Sequence, residues 1–331
     1  MMPTGLFLLD KHAYDLIYDD EWCAAIATQV TLPAPPLTRA DQAAHAEALA
    51  RAEIVLGGWG TPRFDAALLE RMPQLRLVLY GAGSIRHVVS DAFWARGLRI
   101  CSAWAANAEP VAQYTLGMIL LSLKRAFAYA QRVRVQHTFA QDLPCAGGFR
   151  ATIGLVSLGM IGRRVCDLLR NFELRIIAYD PLVSAEAARA LGVTLCPLEQ
   201  VFAAADVVSL HTPWLPATEG LITGAHVRAM KPGATLINTA RGAVVREAEL
   251  SEVLRARPDL TAVLDVTQPE PPAADSPLYT LPNVVLTPHI AGSLGPECRR
   301  MGRFMVEELQ RYLAGQPLLW EISRDRAATV A

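Results

Sequence analysis

Short apolar runs alternate along this chain with longer stretches in which apolar positions recur at helical spacing. In the first third the runs Gly5–Leu9, Ile54–Leu56, Leu77–Leu79 and Leu98–Ile100 are predicted strands. Helices are expected near Ala40–Ala52, Ala66–Arg71 and Asp91–Ala95. Thr31 to Pro36 (TLPAPP) is expected as a surface connection that proline keeps out of a helix. A long helix is predicted from about Pro110 to Arg134, with Asn107 as N-cap and Pro110 in its first turn. Its length suggests a bridge between domains. Alternation then resumes with strands Ala151–Val156, Leu174–Tyr179, Val207–Leu210, Thr235–Asn238, Thr261–Leu264 and Val284–Leu286. Between them lie helical stretches Ile161–Asn171, Gly224–Met230 and Glu247–Arg255. A last helix, Pro296 to Leu313, ends at Gly315 before Pro317 and is expected to return to the first domain. The pattern predicts an α/β chain of two parallel-sheet units, the second with six strands.

Composition agrees with a globular α/β chain. Of 331 residues, 52% are hydrophobic and 19% charged, so large cores can form. A formal charge of −1 without a basic run argues against nucleic acid or an anionic membrane surface as main partner. The six cysteines include no C-x-x-C pair, which suits reduced thiols in cytoplasm and neither a disulfide framework nor a metal site. The short apolar N-terminal run has no basic flank and fits a first strand better than a signal peptide. The most apolar helical segment, Leu116–Leu123, stops at Lys124, too short to span a bilayer.

The stretch Ala151–Asp180 has the order strand, tight turn, helix, strand, acid. Gly154, Gly159 and Gly162 let backbone approach a ligand and helix approach strand. Gly159, Met160 and Ile161, at the helix start, are candidate contacts for a diphosphate, which free amides and the helix dipole favour. Asp180 can accept hydrogen bonds from ribose hydroxyls and would repel a 2′-phosphate, so NAD is expected rather than NADP. The fingerprint G-x-G-x-x-G has one defect, Ser157 at its first glycine. The serine Cβ can weaken binding, or its hydroxyl can bond phosphate.

Three chemical side chains follow predicted strands, where such sheets bind ligands. They are Arg241, Glu270 and His289. A guanidinium can clamp a carboxylate and polarise a carbonyl; an imidazolium can protonate a new alkoxide; a neighbouring carboxylate fixes the imidazole's tautomer and raises its pKa. Singly, each is more often structural or solvated. Together they suit hydride transfer at a 2-oxo or 2-hydroxy acid.

The segments GLVSLGMIG with YDP, LHTP, MKPGATLINTARG, LDVTQPEP and NVVLTPHIAG resemble, in content and order, the D-isomer-specific 2-hydroxyacid dehydrogenase family. The resemblance implies two Rossmann-like domains with a cleft between them: an NAD-binding domain, residues 105–290, and a flavodoxin-like substrate domain, residues 1–104 and 291–331. It implies Arg241 as substrate clamp, His289 as acid/base touching substrate and Glu270 as its partner. It implies His211, Thr212 and Pro213 along the cofactor and Ala240, Asp265 and Gly292 near the nicotinamide, although Asp265 also suits a strand-end hydrogen bonder. YGAGSIR (Tyr80–Arg86) resembles the loop whose amides hold the substrate carboxylate, here through Ala82 and Gly83, and is otherwise a plain strand-to-helix turn. The expected protein is a cytoplasmic NAD-dependent oxidoreductase acting on a small 2-oxo or D-2-hydroxy acid, a homodimer joined through its nucleotide domains, without metal.

Departures from the family pattern are Ser157, Gln113 for a usual glutamate, and Arg246 where an acid often begins the next helix. The chain resembles phosphoglycerate dehydrogenases without their C-terminal regulatory domain, so feedback by serine is not expected. A formate dehydrogenase would pair its histidine with glutamine, against which Glu270 argues. An NAD-sensing corepressor shares the body, but nothing in the sequence announces a peptide groove. Arg86 and Arg299 are candidate charges for a phosphorylated substrate, and Trp59 and Trp104 candidate walls of an apolar pocket; each suits surface or core equally well.

Overall fold

The computed structural model describes residues 2–327; the extreme ends of the predicted substrate domain, residue 1 and residues 328–331, lie outside the described residues. The chain divides into two compact units, one of residues 1–107 with 293–331 and one of residues 108–292.

The first unit holds a parallel sheet of β1 (Gly5–Phe7), β2 (Ile54–Gly57), β3 (Leu77–Tyr80) and β4 (Arg99–Ser102), in that spatial order. Nearly every strand residue is buried, because helices cover both faces and the strands are apolar on both. The stretch Thr31 to Leu37 is more than a surface connection. It runs parallel to β1 through isolated bridges Thr4 to Thr31 and Leu8 to Leu37, with Gly5 N donating to Thr31 O at 2.9 Å and Leu9 N donating to Leu37 O at 3.0 Å. Its three prolines prevent a continuous ladder and suit an edge. Counting it, the order becomes that of a flavodoxin-like sheet.

The second unit holds β5 (Thr152–Val156), β6 (Arg175–Tyr179), β7 (Val193–Leu195), β8 (Val207–Leu210), β9 (Thr235–Asn238), β10 (Thr261–Leu264) and β11 (Val284–Leu286). They form one parallel sheet ordered β11-β10-β9-β8-β5-β6-β7. The expected six strands are therefore seven. The edge strand β7 is only three residues long, too short for its alternation to register in the sequence. Strand order reverses between β5 and β8. Register aligns Val156 with Leu210, Leu210 with Asn238, Asn238 with Leu264 and Leu264 with Leu286. The residues after these strands therefore emerge along one edge.

The predicted long helix is two helices, Trp104–Leu123 and Ala126–Gln136, separated where Arg125 adopts φ 52°. It also begins earlier than expected. Asn107 does not cap it, because its Oδ1 accepts from Ser293 N at 2.8 Å, and Pro110 lies inside the helix. Helices Lys11–Ile17, Asp20–Ala27, Ala185–Ala190 and Leu198–Ala204 are additional to those predicted.

The last long helix, Cys298–Leu313, packs on the first unit. It contributes Glu308, whose carboxylate is wholly buried yet accepts from Leu319 N at 3.2 Å, Trp320 N at 3.1 Å and the Cys101 thiol at 3.2 Å. One acidic side chain thus ties the chain that follows the helix to the sheet. Glu308→Ala leaves these donors without an acceptor, at a cost of about 2–3 kcal/mol. Hydrogen exchange at the Leu319 and Trp320 amides should accelerate in this variant, and unchanged protection would show that the carboxylate is dispensable.

Candidate active site

The carboxyl edge of the seven-stranded sheet gathers most of the predicted site residues. After β9, Asn238 steers the chain: its Oδ1 accepts from Ala240 N at 3.1 Å and its Nδ2 donates to Arg241 O at 3.0 Å. This fixes the backbone of Arg241, whose Nη1 donates to Ala240 O at 2.6 Å. Next to it, Gly242 packs against the loop after β10 so closely that a Cβ would lie 2.0 Å from the Thr267 carbonyl carbon. Only glycine permits this approach, which brings the Arg241 loop and the Glu270 loop together.

Glu270 lies between two cis peptide bonds, Gln268–Pro269 and Glu270–Pro271. Thr267 Oγ1 donates to Pro269 O at 2.8 Å, and Glu247 at the start of the helix Glu247–Ala256 accepts from Gln268 N at 3.0 Å. Partial burial holds the Glu247 carboxyl above its ordinary range. His289, with φ 54°, meets this loop: its Nδ1 lies 2.5 Å from Glu270 Oε1. Both side chains remain about half exposed, at 48% and 43%. A cavity of about 730 Å³, lined by Asp265, Thr267, Glu270, Tyr279, Leu286 and His289 among others, opens beside the pair.

What holds the His289 loop is Asp265. Its side chain, 1% exposed, accepts from Thr287 Oγ1 at 2.7 Å, Ile290 N at 2.8 Å and Ala291 N at 2.8 Å. Because the Thr287 proton goes to Asp265, the Tyr114 hydroxyl, 3.0 Å away, donates to Thr287 in turn. Burial raises the Tyr114 pKa. Of the two roles open to Asp265 in the sequence, the strand-end hydrogen bonder is the one visible here. Glu247, Tyr114 and Thr287 were not singled out beforehand, since their partners are distant in sequence; Asn238, whose partners are local, carried no motif signal of its own.

At the reversal between β5 and β8 the residues fit a dinucleotide. Gly159 N-caps the helix Met160–Leu169 without a side-chain cap, and nothing lies within 4 Å of where its Cβ would be. Met160 and Ile161 therefore present the helix's uncapped first turn to open space. Gly162 is needed for packing: a Cβ there would sit 2.4 Å from Ser157 O. Asp180 Oδ2 accepts from Leu158 N at 2.7 Å and Oδ1 from Leu182 N at 2.8 Å, which aims the carboxylate across the turn with capacity left for a ribose hydroxyl. After β8 come His211, Thr212 and Pro213. His211 is buried with Nε2 3.1 Å from Ser209 Oγ, and its Nδ1 has no partner among the described residues. Burial pushes its pKa down to about 4, so the ring is neutral near neutral pH. Gly292 ends this unit, next to the Ala291 amide that Asp265 holds.

In the first unit Ala82 and Gly83 follow β3 and belong to a loop pinned from beneath. Ser102 Oγ lies 2.8 Å from Ala82 O and 2.5 Å from Gly83 O. Of the residues considered for charge or apolar walls, Arg299 pairs with Asp19 at 3.3 Å and Trp104 lies under the Arg326 guanidinium at 4.8 Å. Trp59 is partly exposed. Gln113 donates to Glu109 at 2.8 Å, and Glu109 pairs with Arg164 at 2.7 Å, so an acid one helical turn earlier occupies this face. Arg246 reaches Gly220 O and Glu249. Among the described residues no cluster of His, Cys, Asp or Glu able to hold a metal occurs, and no helix is long and apolar enough to cross a membrane.

Comparison with known proteins matches this geometry to a family. Residues 116–291, more than half the chain, match the model of the D-isomer specific 2-hydroxyacid dehydrogenase, NAD binding domain. D-3-phosphoglycerate dehydrogenase of Mycobacterium tuberculosis is 34% identical over 253 residues, 76% of this chain and 48% of that protein. (S)-Sulfolactate dehydrogenase of Chromohalobacter salexigens is 34% identical over 76% of this chain and 82% of its own length. A solved structure of the TT0316 protein from Thermus thermophilus superposes with TM-score 0.76 at 29% identity, covering 98% of this chain and 100% of that one. The NAD-complexed D-isomer specific 2-hydroxyacid dehydrogenase of Lactobacillus delbrueckii ssp. bulgaricus shares the fold, with TM-score 0.80 at 21% identity over 97% of this chain and 100% of its own. The chain belongs to the D-isomer specific 2-hydroxyacid dehydrogenase family and carries its NAD-binding domain. It spans about half the length of the phosphoglycerate dehydrogenases it matches.

The clamp formed by Asp265 is directly measurable. Asp265→Ala strips acceptors from one hydroxyl and two buried amides and should lower stability by about 2–4 kcal/mol, read from urea denaturation. A midpoint equal to wild type would mean that the His289 loop is held by something else.

Proposed function

We propose that this chain is an NAD-dependent oxidoreductase that interconverts a 2-oxo acid and the corresponding D-2-hydroxy acid. The observation that carries the proposal is the close His289–Glu270 pair on the sheet edge that also carries Arg241. With Nδ1 bonded to the carboxylate, the imidazole turns Nε2 to the substrate.

In reduction, His289 Nε2–H gives its proton to the substrate oxygen; in oxidation it takes that proton back. Glu270 holds the tautomer and stabilises the imidazolium. Arg241 clamps the substrate carboxylate and bears part of the charge that develops on the oxygen, a two-pronged task for which guanidinium geometry is suited. In the first unit, Ala82 and Gly83 are read from the family resemblance as backbone donors to a substrate carboxylate. The nicotinamide, when bound, supplies or accepts the hydride. Gly159, Met160 and Ile161 receive its diphosphate, Asp180 its ribose, His211, Thr212 and Pro213 its length, and Ala240, Asp265 and Gly292 the surroundings of its nicotinamide. His211 Nδ1, buried without a partner among the described residues, supports a ligand at this place.

A cytoplasmic setting is supported by six unpaired thiols. We also propose a homodimer formed through the nucleotide unit. Helix Ala126–Gln136 buries none of its residues, Val135 within it and Phe139 beyond it are 71% and 88% exposed, and the edge strand β11 is half-exposed. Such apolar exposure is expected where a second copy covers it. Sedimentation at micromolar concentration should report a dimer; a monomer would reject this assignment.

The activity is tested by following NADH oxidation against a panel of 2-oxo acids. Wild type should turn over at least one, and Arg241→Ala should lose about a hundredfold or more in kcat/KM on it, in keeping with loss of a charged transition-state contact. An Arg241→Ala enzyme with undiminished turnover would remove arginine from its role, and absence of turnover by wild type on every acid would reject the reaction.

A further inference from the structure

The first-glycine position of the fingerprint holds a serine, and the chain keeps the glycine conformation there. Ser157 has φ 77°, one of only a few described non-glycine residues in the left-handed region. A Cβ is crowded by its own carbonyl in that region, so glycine would fold here with less strain. Strain kept at a ligand-binding turn is a reason to ask what the side chain does.

The hydroxyl stands at the reversal of strand order. Ser157 follows β5 and Thr212 follows β8, the two neighbouring strands from which the sheet winds in opposite directions. Ser157 Oγ lies 3.0 Å from Thr212 Oγ1, and Thr212 Oγ1 lies 3.3 Å from Val156 O. Thr212 Oγ1 donates to the Val156 carbonyl, so Ser157 Oγ–H can point to Thr212 until a ligand binds. An anionic phosphate oxygen is a stronger acceptor than a threonine hydroxyl, and the Ser157 hydroxyl stands at the mouth of the crevice where ligands of such sheets bind, free to turn to it. The same residue begins the turn to Gly159, above which space is open, and to the uncapped helix start.

We propose that Ser157 Oγ–H donates a hydrogen bond to the diphosphate of the bound dinucleotide, with Thr212 orienting it. The serine thus supplies a side-chain donor where the fingerprint ordinarily presents bare backbone, and this contact offsets the strained φ. The assignment rests on the cofactor reading above and deepens it.

Direct titration tests it without turnover. NADH binding is followed by fluorescence and ADP-ribose binding by calorimetry for wild type, Ser157→Ala and Ser157→Gly, and each free protein is melted. Ser157→Ala and Ser157→Gly should each weaken both ligands about tenfold or more, the worth of one hydrogen bond to a charged acceptor. Ser157→Gly should melt above Ser157→Ala, because glycine relieves the φ and alanine does not. Unchanged or tighter binding by Ser157→Gly would overturn the contact and leave the hydroxyl as an internal clasp to Thr212. A loss confined to NADH would place the contact off the diphosphate and overturn the proposal as well. Wild type that binds neither ligand rejects the cofactor reading itself, a failure separate from any behaviour of the variants.

Discussion

A single buried carboxylate organises the chemical edge of the second unit. Asp265 follows β10 directly and holds three donors of the chain that follows β11, so the position of His289 is set by a residue twenty-four places earlier in the sequence. Removing an ion from water is costly, and the cost is offset only because each donor is short, well placed and itself in need of a partner. The same condition makes the loop rigid. The Thr287 hydroxyl and the Ile290 and Ala291 amides all converge on this one carboxylate.

The first unit repeats the device with different parts. Glu308, carried by the last long helix, accepts two amides and a thiol and fastens the chain end beneath β4. In both units apolar strands and covering helices supply the bulk of the burial energy, which has no direction. Buried carboxylates supply direction, since an acceptor with fixed lone pairs tolerates few arrangements of the chain around it. The parallel sheet needs this assistance at its carboxyl edge, where the ladder of hydrogen bonds ends and loops begin.

Two non-glycine residues with positive φ stand at two turns of the proposed site. Ser157 opens the turn into the helix Met160–Leu169 and His289 opens toward Glu270. Each conformation is maintained from outside: Ser157 N donates to Tyr179 O at 2.8 Å, and His289 N to Asp265 O at 2.9 Å. Surrounding bonds over-determine both turns, which is how strain persists in a native structure. The family's chemistry fits such rigidity, for a proton donor and a carboxylate clamp act through fixed orientation.

Much of this was legible in the sequence because the signals were local. Strands β8 to β11 (Val207–Leu210, Thr235–Asn238, Thr261–Leu264, Val284–Leu286) coincide with apolar runs that end in polar residues, and Arg241, Glu270 and His289 follow three of them. The glycine turn and Asp180 are recognisable because the chain itself, over one strand and one helix, fixes their spacing. Local signals fail where the partner is distant. The three-residue β7 has no pattern of its own and exists because β6 offers it an edge. Thr31 to Leu37 has prolines that argue against a strand and pairs with β1 nonetheless. The predicted single helix breaks at Arg125, whose guanidinium is drawn to Asp259 O at 2.7 Å, far along the chain. Composition and periodicity determined the α/β class and which residues follow strands. Only the tertiary structure decided that Asp265 holds the His289 loop and that Ser157 keeps a glycine's φ beside Thr212, because hydrogen bonds between distant segments form only once the sheet has set its register.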